Sequence, residues 1–567
     1  MEYGLATADY VIMAGFFVVL LGVGLFYAGR MHNLRDFFSG SRQVPWWLAG
    51  ISLYMTTFSA FTFVSYSALA YEHGFVAVTI WWFSVPGCLL SAWFLAARWR
   101  RAATTSPVEY LETRFGPALR QCFSWFGIPL IVFDDALKLF VIGTMVAVSV
   151  GFQSDAGVIW AIAVCGVIML SYTLLGGLWA VLITDTIQFV VMGVAVLVLA
   201  PLAWRAAGGL GAIAGHAPEA AATAGPYTWP WLLSFAVILA LTYATKWPYV
   251  QRYYAARSDR EARWVGYLVG GLTILAPPLL FFPAFAARVF LPEVADGNTV
   301  YPMLCRQLLP AGMLGILMAA MFSATMSMLS SDYNSLASVI TNDIVKRLFL
   351  REASDRVLVL VARLTTLLVG VLAMLLAILF ARAEALEDLV QYMARLFAGL
   401  LPPVALPMIA GLVSRRTSNT GALTGFFLGA ACGVTAYIAS YGEGLEYLRT
   451  VPYLTWLTLL PTLAGLVIGS VLRPNTAAQR AVIAQFLEGL RGGPEKVGLE
   501  AGGGAALALR MVGITTGLLG LILCGGVVFT AGLSESAIPI AAGLLMALGG
   551  GLAAAASFRF KQPVEEE

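Results

Sequence analysis

An all-α polytopic membrane protein is the fold class that the sequence predicts, on three observations. Hydrophobic residues make up 60% of the 567 and charged residues only 11%, well below the roughly one quarter that soluble domains carry. Runs of about 20 apolar residues, the length that crosses the hydrocarbon of a bilayer, recur from Tyr10 to Ser557. Arginine and lysine concentrate in alternate joints between those runs, the pattern of a chain whose positive loops face the cytoplasm.

The first run, 8–29, lacks the short apolar region and small-residue cleavage site of a signal peptide and reads as a mature helix. The second, 45–71, carries Ser52, Thr56, Thr57, Ser59 and Thr62 towards its centre, with Gly74 beyond it. Such a stretch at mid-membrane predicts either a locally unwound helix whose carbonyls line a cavity or a kink without a ligand, because irregular backbone is tolerated at that depth only where it faces protein or water. Runs follow at 76–97, 121–150, 156–174, 178–203, 229–250, 264–287, 307–340, 358–381 and 388–412, and then at 420–440, 453–471, 510–531 and 537–557, about fifteen in all. The 204–228 joint contains a Gly-Gly-Leu-Gly-Ala-Ile-Ala-Gly string, read as flexible loop because no strand or P-loop lysine accompanies it. The longest polar joint, 473–509, is too short for a catalytic or signalling domain; its Ala477–Leu490 part has the pattern of an amphipathic surface helix ahead of the Gly492-Gly493-Pro494 break.

Cationic joints are marked by Arg30, Arg35 and Arg42, by Arg98 to Arg120, by Arg252 to Arg263, by Lys346 to Arg356, by Arg415 and Arg416, and by Arg473 to Lys496. They place the N-terminus outside and Arg559 and Lys561 inside, in a multi-pass protein of the cell's inner (plasma) membrane. Six cysteines lie scattered in apolar surroundings without a CxxC pair, so neither a disulfide framework nor a zinc site is indicated. His32, His73 and His216 sit apart in joints, where solvation is the simpler account than ligation. Without a nucleophile and base that could meet, and without a repeated selectivity filter, neither an enzyme nor a channel is indicated.

An ionisable group inside the bilayer costs at least about 2.5 kcal/mol and is a functional candidate by default. Those here are Asp134, Asp135 and Lys138 in the fourth run, Asp185 in the sixth, Lys246 near the inner end of the seventh and Asp332 late in the ninth. Asp185 sits between Thr184 and Gln188 about two turns into its helix and is buried in any register; a structural ion pair is the alternative to a ligand role. In the ninth run Ala324, Ser327 and Ser331 share a helical face, flanked by Ser330. Hydroxyls and a carboxylate are hard ligands that suit a small hard cation. Asp134 and Lys138 have the spacing of an i, i+4 pair.

These segments together resemble the sodium:solute symporter family over roughly residues 8–475. The most specific part is Gly176-Gly177-Leu178-x-Ala180-Val181-x-x-Thr184-Asp185-x-x-Gln188; Gln251-Arg252 with Ala255-Ala256-Arg257, and Asn334-Ser335 ahead of Thr341-Asn342-Asp343-Ile344-Val345-Lys346, support it. The resemblance implies a LeuT-like inverted-repeat core of ten helices, with one extra N-terminal helix (1–44) and about four extra C-terminal ones (413–567). The first half of the core would span 45–203 and the inverted half 229–412. It implies secondary active transport by alternating access, sodium-coupled symport of a small polar organic solute, with no organic cofactor. The partners implied are the solute and the lipid bilayer, with neither nucleic acid nor an obligate protein partner.

Residue by residue, the family's common sodium site falls on the backbone oxygens of Met55, Phe58 and Ala324 and the hydroxyl of Ser327. Its second hydroxyl position is Met328, whose thioether is a poor ligand for sodium. A further site in some members maps to Asp185, Ser330 and Ser331. Thr57, Ser59 and Thr62 resemble the substrate hydroxyls of the sialate-type branch, while Asp134 stands near the place of a carboxylate-gripping arginine. An acid there disfavours an anionic ligand, so a neutral sugar or polyol is the expected solute. Sialate or monocarboxylate uptake, or proton coupling through Asp185, are the alternatives.

Overall fold

The computed structural model describes residues 6–28, 38–102, 104–152, 154–216, 227–294, 297–310, 312–382, 389–492, 502–531 and 537–558. Arg30, His32, Arg35, Gly493, Pro494, Lys496, Arg559 and Lys561 lie outside them. In chain order the principal helices are α1 (Thr7–Ala28), α2 (Trp46–Met55), α3 (Ala60–His73), α4 (Val76–Phe94), α5 (Pro117–Val150) and α6 (Asp155–Ala206). A second set follows: α7 (Trp229–Thr245), α8 (Trp247–Ala255), α9 (Asp259–Phe290), α10 (Met313–Val339), α11 (Asp355–Arg382) and α12 (Leu389–Val413). The last are α13 (Asn419–Ala439), α14 (Val451–Leu472), α15 (Ala477–Arg491), α16 (Gly502–Ala531) and α17 (Ala537–Ser557).

Among the described residues 11 helices are long and apolar enough to cross a membrane, and the bent α2–α3 pair makes a twelfth. Three further stretches fill the other positions read in the sequence. They are α5, which buries Asp134, Asp135 and Lys138, and the shorter apolar helices Asp155–Ser171 and α7. Gly177, with φ 55°, separates the two halves of α6 in a backbone conformation that only glycine adopts without strain. Core helix α10 is buried along almost its whole length, while the outward faces of α11, α13 and α17 are apolar and exposed, as lipid-facing surface requires.

Two of the spans are broken, and local chemistry explains both breaks. Between α2 and α3 the axis bends by 62°. There the Thr56 and Thr57 hydroxyls donate to the carbonyls of Ser52 (2.7 Å) and Tyr54 (2.6 Å), while the free N–H of Ala60 donates to Thr325 Oγ1 on α10 (2.7 Å). Backbone groups that a break would orphan in the bilayer are thereby satisfied. The second break falls at Lys246, which is extended (φ −60°, ψ 125°), and Pro248 then starts α8 at a position where its missing N–H costs nothing. The sequence predicts an unbroken run over 229–250, so this break is a correction. Four spans lie between the broken elements, so with alternating spans they run in opposite directions, as an inverted repeat demands.

Cationic joints meet on one face. Arg101 pairs with Asp259 (2.5 Å) and donates to the Leu490 carbonyl, Arg114 donates to the carbonyls of Ser414 and Thr417, and Glu112 accepts from both Arg120 and Arg347. Arg120 also pairs with Asp343. The amphipathic segment is helical as α15, closed by a Thr476–Gln479 capping box and burying Ile483, Leu487 and Leu490. The glycine-rich string in the 204–228 joint differs from expectation, since Leu210–Gly215 is a short helix whose Ile213 is buried.

Candidate functional site

A cavity of about 170 Å³ lies against the α2–α3 break. Thr57, Ser59 and Thr62 line it at the break, Asp134 and Lys138 from α5, Lys246 from the α7–α8 break, and Met328 from α10. Its aromatic wall includes Tyr66 and Trp81, whose ring centroids are 5.0 Å apart in an edge-on contact. Both interruptions of helix thus open onto one space, where freed backbone and short hydroxyl side chains can meet a polar ligand.

Behind the break lies a buried charge pair. The Ser52 hydroxyl donates to Asp185 Oδ2 (2.5 Å), and Arg252 Nη2 stands 3.6 Å from the same oxygen. The guanidinium also donates to Ser331 Oγ (2.6 Å), to Ser52 Oγ (3.0 Å), to the Pro248 carbonyl (3.2 Å) and to Gln251 Oε1 (3.1 Å). Asp185 and Arg252 are both fully buried, and Asp185 Oδ1 has no hydrogen-bond partner. Ser327 lies beside the Asp185 carboxylate without a hydrogen bond of standard geometry. Ser330 instead donates back to the Ser327 carbonyl (3.1 Å). Met55 and Phe58 flank the break, where the Phe58 N–H donates to the Met55 carbonyl (3.1 Å). Thr56 Oγ1 is 3.3 Å from Ser331 Oγ and Ala60 is bonded to Thr325, so the break spans the turns of α10 that carry Ala324, Ser327, Ser330 and Ser331.

A second cluster stands at the cavity wall. Lys138 Nζ donates to Asp134 Oδ2 (2.7 Å), Asp135 Oδ1 (3.2 Å) and Asp332 Oδ2 (2.9 Å). Lys246 Nζ reaches Asp134 Oδ2 at 3.4 Å and Asp332 Oδ2 at 3.9 Å, and lies 5.6 Å from the ring centres of both Tyr249 and Phe397. Asp134 thus contacts two ammonium groups, which it shares with Asp135 and Asp332.

Residues 37–429 match the sodium:solute symporter family. The chain belongs to that family. Its members are transporters, and the sodium/sialic acid symporter NanT of Aliivibrio fischeri is 26% identical over 65% of this chain and 75% of its own length. A sodium/glucose cotransporter of Vibrio parahaemolyticus is likewise 26% identical, over 66% of this chain and 75% of its own. A solved sodium-coupled sialic acid symporter, substrate-bound and outward-open, superposes with a TM-score of 0.72 at 24% identity, covering 83% of this chain and 98% of the other. The fold is accordingly the LeuT-like one. Arg252 and Ser52 are the members of the Asp185 cluster that sequence reasoning missed. Arg252 reads as a cation at the inner end of its span until the Lys246 break turns α8 back into the protein, although the surrounding tyrosines, Tyr253 and Tyr254, signal burial.

Proposed function

We propose that this symporter carries a polyhydroxylated solute of sugar or polyol type together with sodium, by alternating access around the cavity at the α2–α3 break. The observation that carries the reading is the pairing of hydroxyl groups at Thr57, Ser59 and Thr62 with the aromatic surfaces of Tyr66 and Trp81 around one small cavity. Sugar hydroxyls pair with the former and the apolar face of a sugar ring packs on the latter. Sodium is bound by Asp185 with the hydroxyls of Ser330 and Ser331, and a second ion position is formed by the Met55, Phe58 and Ala324 carbonyls with the Ser327 hydroxyl and is weakened by Met328. Because Arg252 is the counter-charge of Asp185 in this arrangement, sodium replaces it there. The guanidinium withdraws towards Gln251 and the Pro248 carbonyl, to which it already donates. The N-terminus is external and the face where the arginines meet is cytoplasmic.

A second reading is favoured by Lys246, whose ammonium faces the cavity with one 3.4 Å contact to Asp134; it can receive the carboxylate of a sialate-like acid. Uptake of labelled glucose, mannitol and sialic acid into proteoliposomes under an inward sodium gradient separates the two. Sodium-driven uptake of a neutral sugar or polyol supports the first reading, and uptake of sialic acid alone supports the second. Uptake indifferent to sodium but driven by a pH gradient moves the coupling to protons at Asp185.

A further inference from the structure

We infer that Asp9, on the extra helix α1, is a positioning residue for sodium binding: its carboxylate caps α10 and fixes the height of the ligands that α10 carries. That role rests on the sodium reading above, in which the Ala324 carbonyl and the hydroxyls of Ser327, Ser330 and Ser331 hold the ions.

An α-helix leaves its first N–H groups without partners inside the helix, and at a buried membrane position other protein groups must satisfy them. The residue that starts α10 is Gly312, with φ 87°, a conformation that suits glycine but offers no side chain as a cap. The acceptor comes from another helix. Asp9 Oδ1 accepts from the backbone N–H groups of Gly312 (2.9 Å) and Gly315 (2.6 Å), while Oδ2 accepts from the Ala6 N–H (3.0 Å) at the start of α1. One carboxylate, 2% exposed, thus closes the N-termini of two helices, where the positive ends of both helix dipoles favour its charge.

Two further features hold α1 against α10. A Cβ added at Gly315 would lie 2.6 Å from Asp9 Cα and 2.7 Å from the Asp9 carbonyl oxygen, so glycine is what admits the backbone of α1 this close. Phe17 of α1 meets Phe322 of α10 edge-on, with ring centroids 4.8 Å apart. Phe17 lies about two turns beyond Asp9 and Phe322 about two turns beyond Gly315, so the two helices run side by side in the same direction. Phe322 stands just ahead of Ala324, and the contact therefore ends where the ligands begin. Ser327 is roughly 20 Å below the cap on one continuous helix. The remaining ligands, Met55, Phe58 and Asp185, belong to other elements, so a slide or turn of α10 changes the oxygen positions around each ion. Binding geometry of this kind tolerates only about 0.5 Å of error.

Equilibrium binding of radioactive sodium to the detergent-purified full-length protein, with the thermal unfolding midpoint in choline measured alongside, tests this. Asp9→Ala leaves the Gly312 and Gly315 N–H groups without their acceptor and should raise the sodium dissociation constant roughly three- to tenfold. Asp9→Asn keeps a capping oxygen and should fall nearer to wild type. Gly315→Ala leaves the carboxylate intact but pushes α1 away from α10, and should weaken sodium binding in the same direction; it decides the matter if Asp9→Ala does not fold. A merely structural cap would lower the unfolding midpoint and leave sodium affinity unchanged. That result in Asp9→Ala, or in Gly315→Ala where Asp9→Ala does not fold, overturns the proposal. Sodium binding that is lost in Asp185→Asn but unchanged in Asp9→Ala and Gly315→Ala overturns it and leaves the sodium reading standing, whereas a wild type that binds no sodium overturns both.

Discussion

Replacing Asp185 by asparagine removes the only carboxylate facing Arg252 at ion-pair distance among the described residues, 3.6 Å from Nη2, while keeping size and an acceptor for Ser52. Breaking a buried pair from one side costs about 3–5 kcal/mol. The guanidinium retains Ser52, Ser331, Gln251 and the Pro248 carbonyl as acceptors, each such bond to a charged group contributing about 1.5–3 kcal/mol when kept. The basal loss of stability should therefore fall near the bottom of the range, about 3 kcal/mol. A second and separate loss concerns sodium. A ligand present at about 100 times its dissociation constant stabilises the folded state by about 2.7 kcal/mol, and Asp185→Asn should abolish that increment. The assay is thermal unfolding of the detergent-purified protein in sodium, potassium and choline chloride at equal ionic strength, which needs no knowledge of the solute. Adding Arg252→Gln should recover much of the basal loss, since the unpaired charge disappears, without restoring the response to sodium. A sodium-specific rise of undiminished size in Asp185→Asn would refute the assignment of the ion to this carboxylate.

Met328→Ser should lower the sodium concentration for half-maximal stabilisation several-fold by supplying the missing hydroxyl, and an unchanged midpoint would count against a sodium position at Ser327 and Met328. Thr57→Ala combined with Ser59→Ala should weaken solute affinity more than sodium affinity in proteoliposome uptake; the reverse order would remove these hydroxyls from the solute site. Glu112 lies outside the spans, and its hydrogen bond from Arg347, with further support from Arg120, holds its carboxyl below the usual range. A depressed value means stability that is complete above the unfolded pKa and lost as pH falls through the folded one. Glu112→Gln should therefore melt below wild type at neutral pH by a modest amount, given its solvent screening, and the gap should close in acid. A gap that stays constant with pH would show the effect is not electrostatic.

Much of this was legible where a single helix carries the signal. The break after Met55 could be read because Thr56, Thr57, Ser59 and Thr62 are out of place in lipid, and the structure bends the helix there by 62°. The Asp134–Lys138 pair followed from i, i+4 spacing and is closed at 2.7 Å. The break at Lys246 could not be read in the same way, because the apolar run continues past it and Pro248 near the end of a span reads as the helix's exit rather than as the start of α8. Arg252 followed from that error: in a straight helix it would reach the interface, whereas α8 returns it to Asp185, a carboxylate 67 positions away in sequence and on a different helix. The association of Asp332 with Lys138 is likewise tertiary. Spacing reports neighbours on one element, and pairs made across elements leave no local trace.

One consequence joins the two clusters. Ser331 and Asp332 are consecutive on α10, yet Ser331 accepts from Arg252 in the Asp185 cluster while Asp332 accepts from Lys138 in the other. Consecutive helical residues point about 100° apart, so α10 is the partition between the clusters and carries a ligand of each. If sodium displaces Arg252 from Asp185, the guanidinium must relax its hold on Ser331. Any rotation of α10 that accommodates this moves Asp332 relative to the Lys138 ammonium, from which it accepts at 2.9 Å. A small displacement suffices, because hydrogen bonds weaken steeply with distance and angle. Coupling requires an element whose arrangement both sites bias, and here one helix meets that requirement with adjacent residues. Asp332→Asn should then shift the sodium concentration for half-maximal thermal stabilisation, although Asp332 is not among the residues assigned to the ion. A half-maximal concentration unchanged from wild type would leave the two clusters energetically independent, however close they lie.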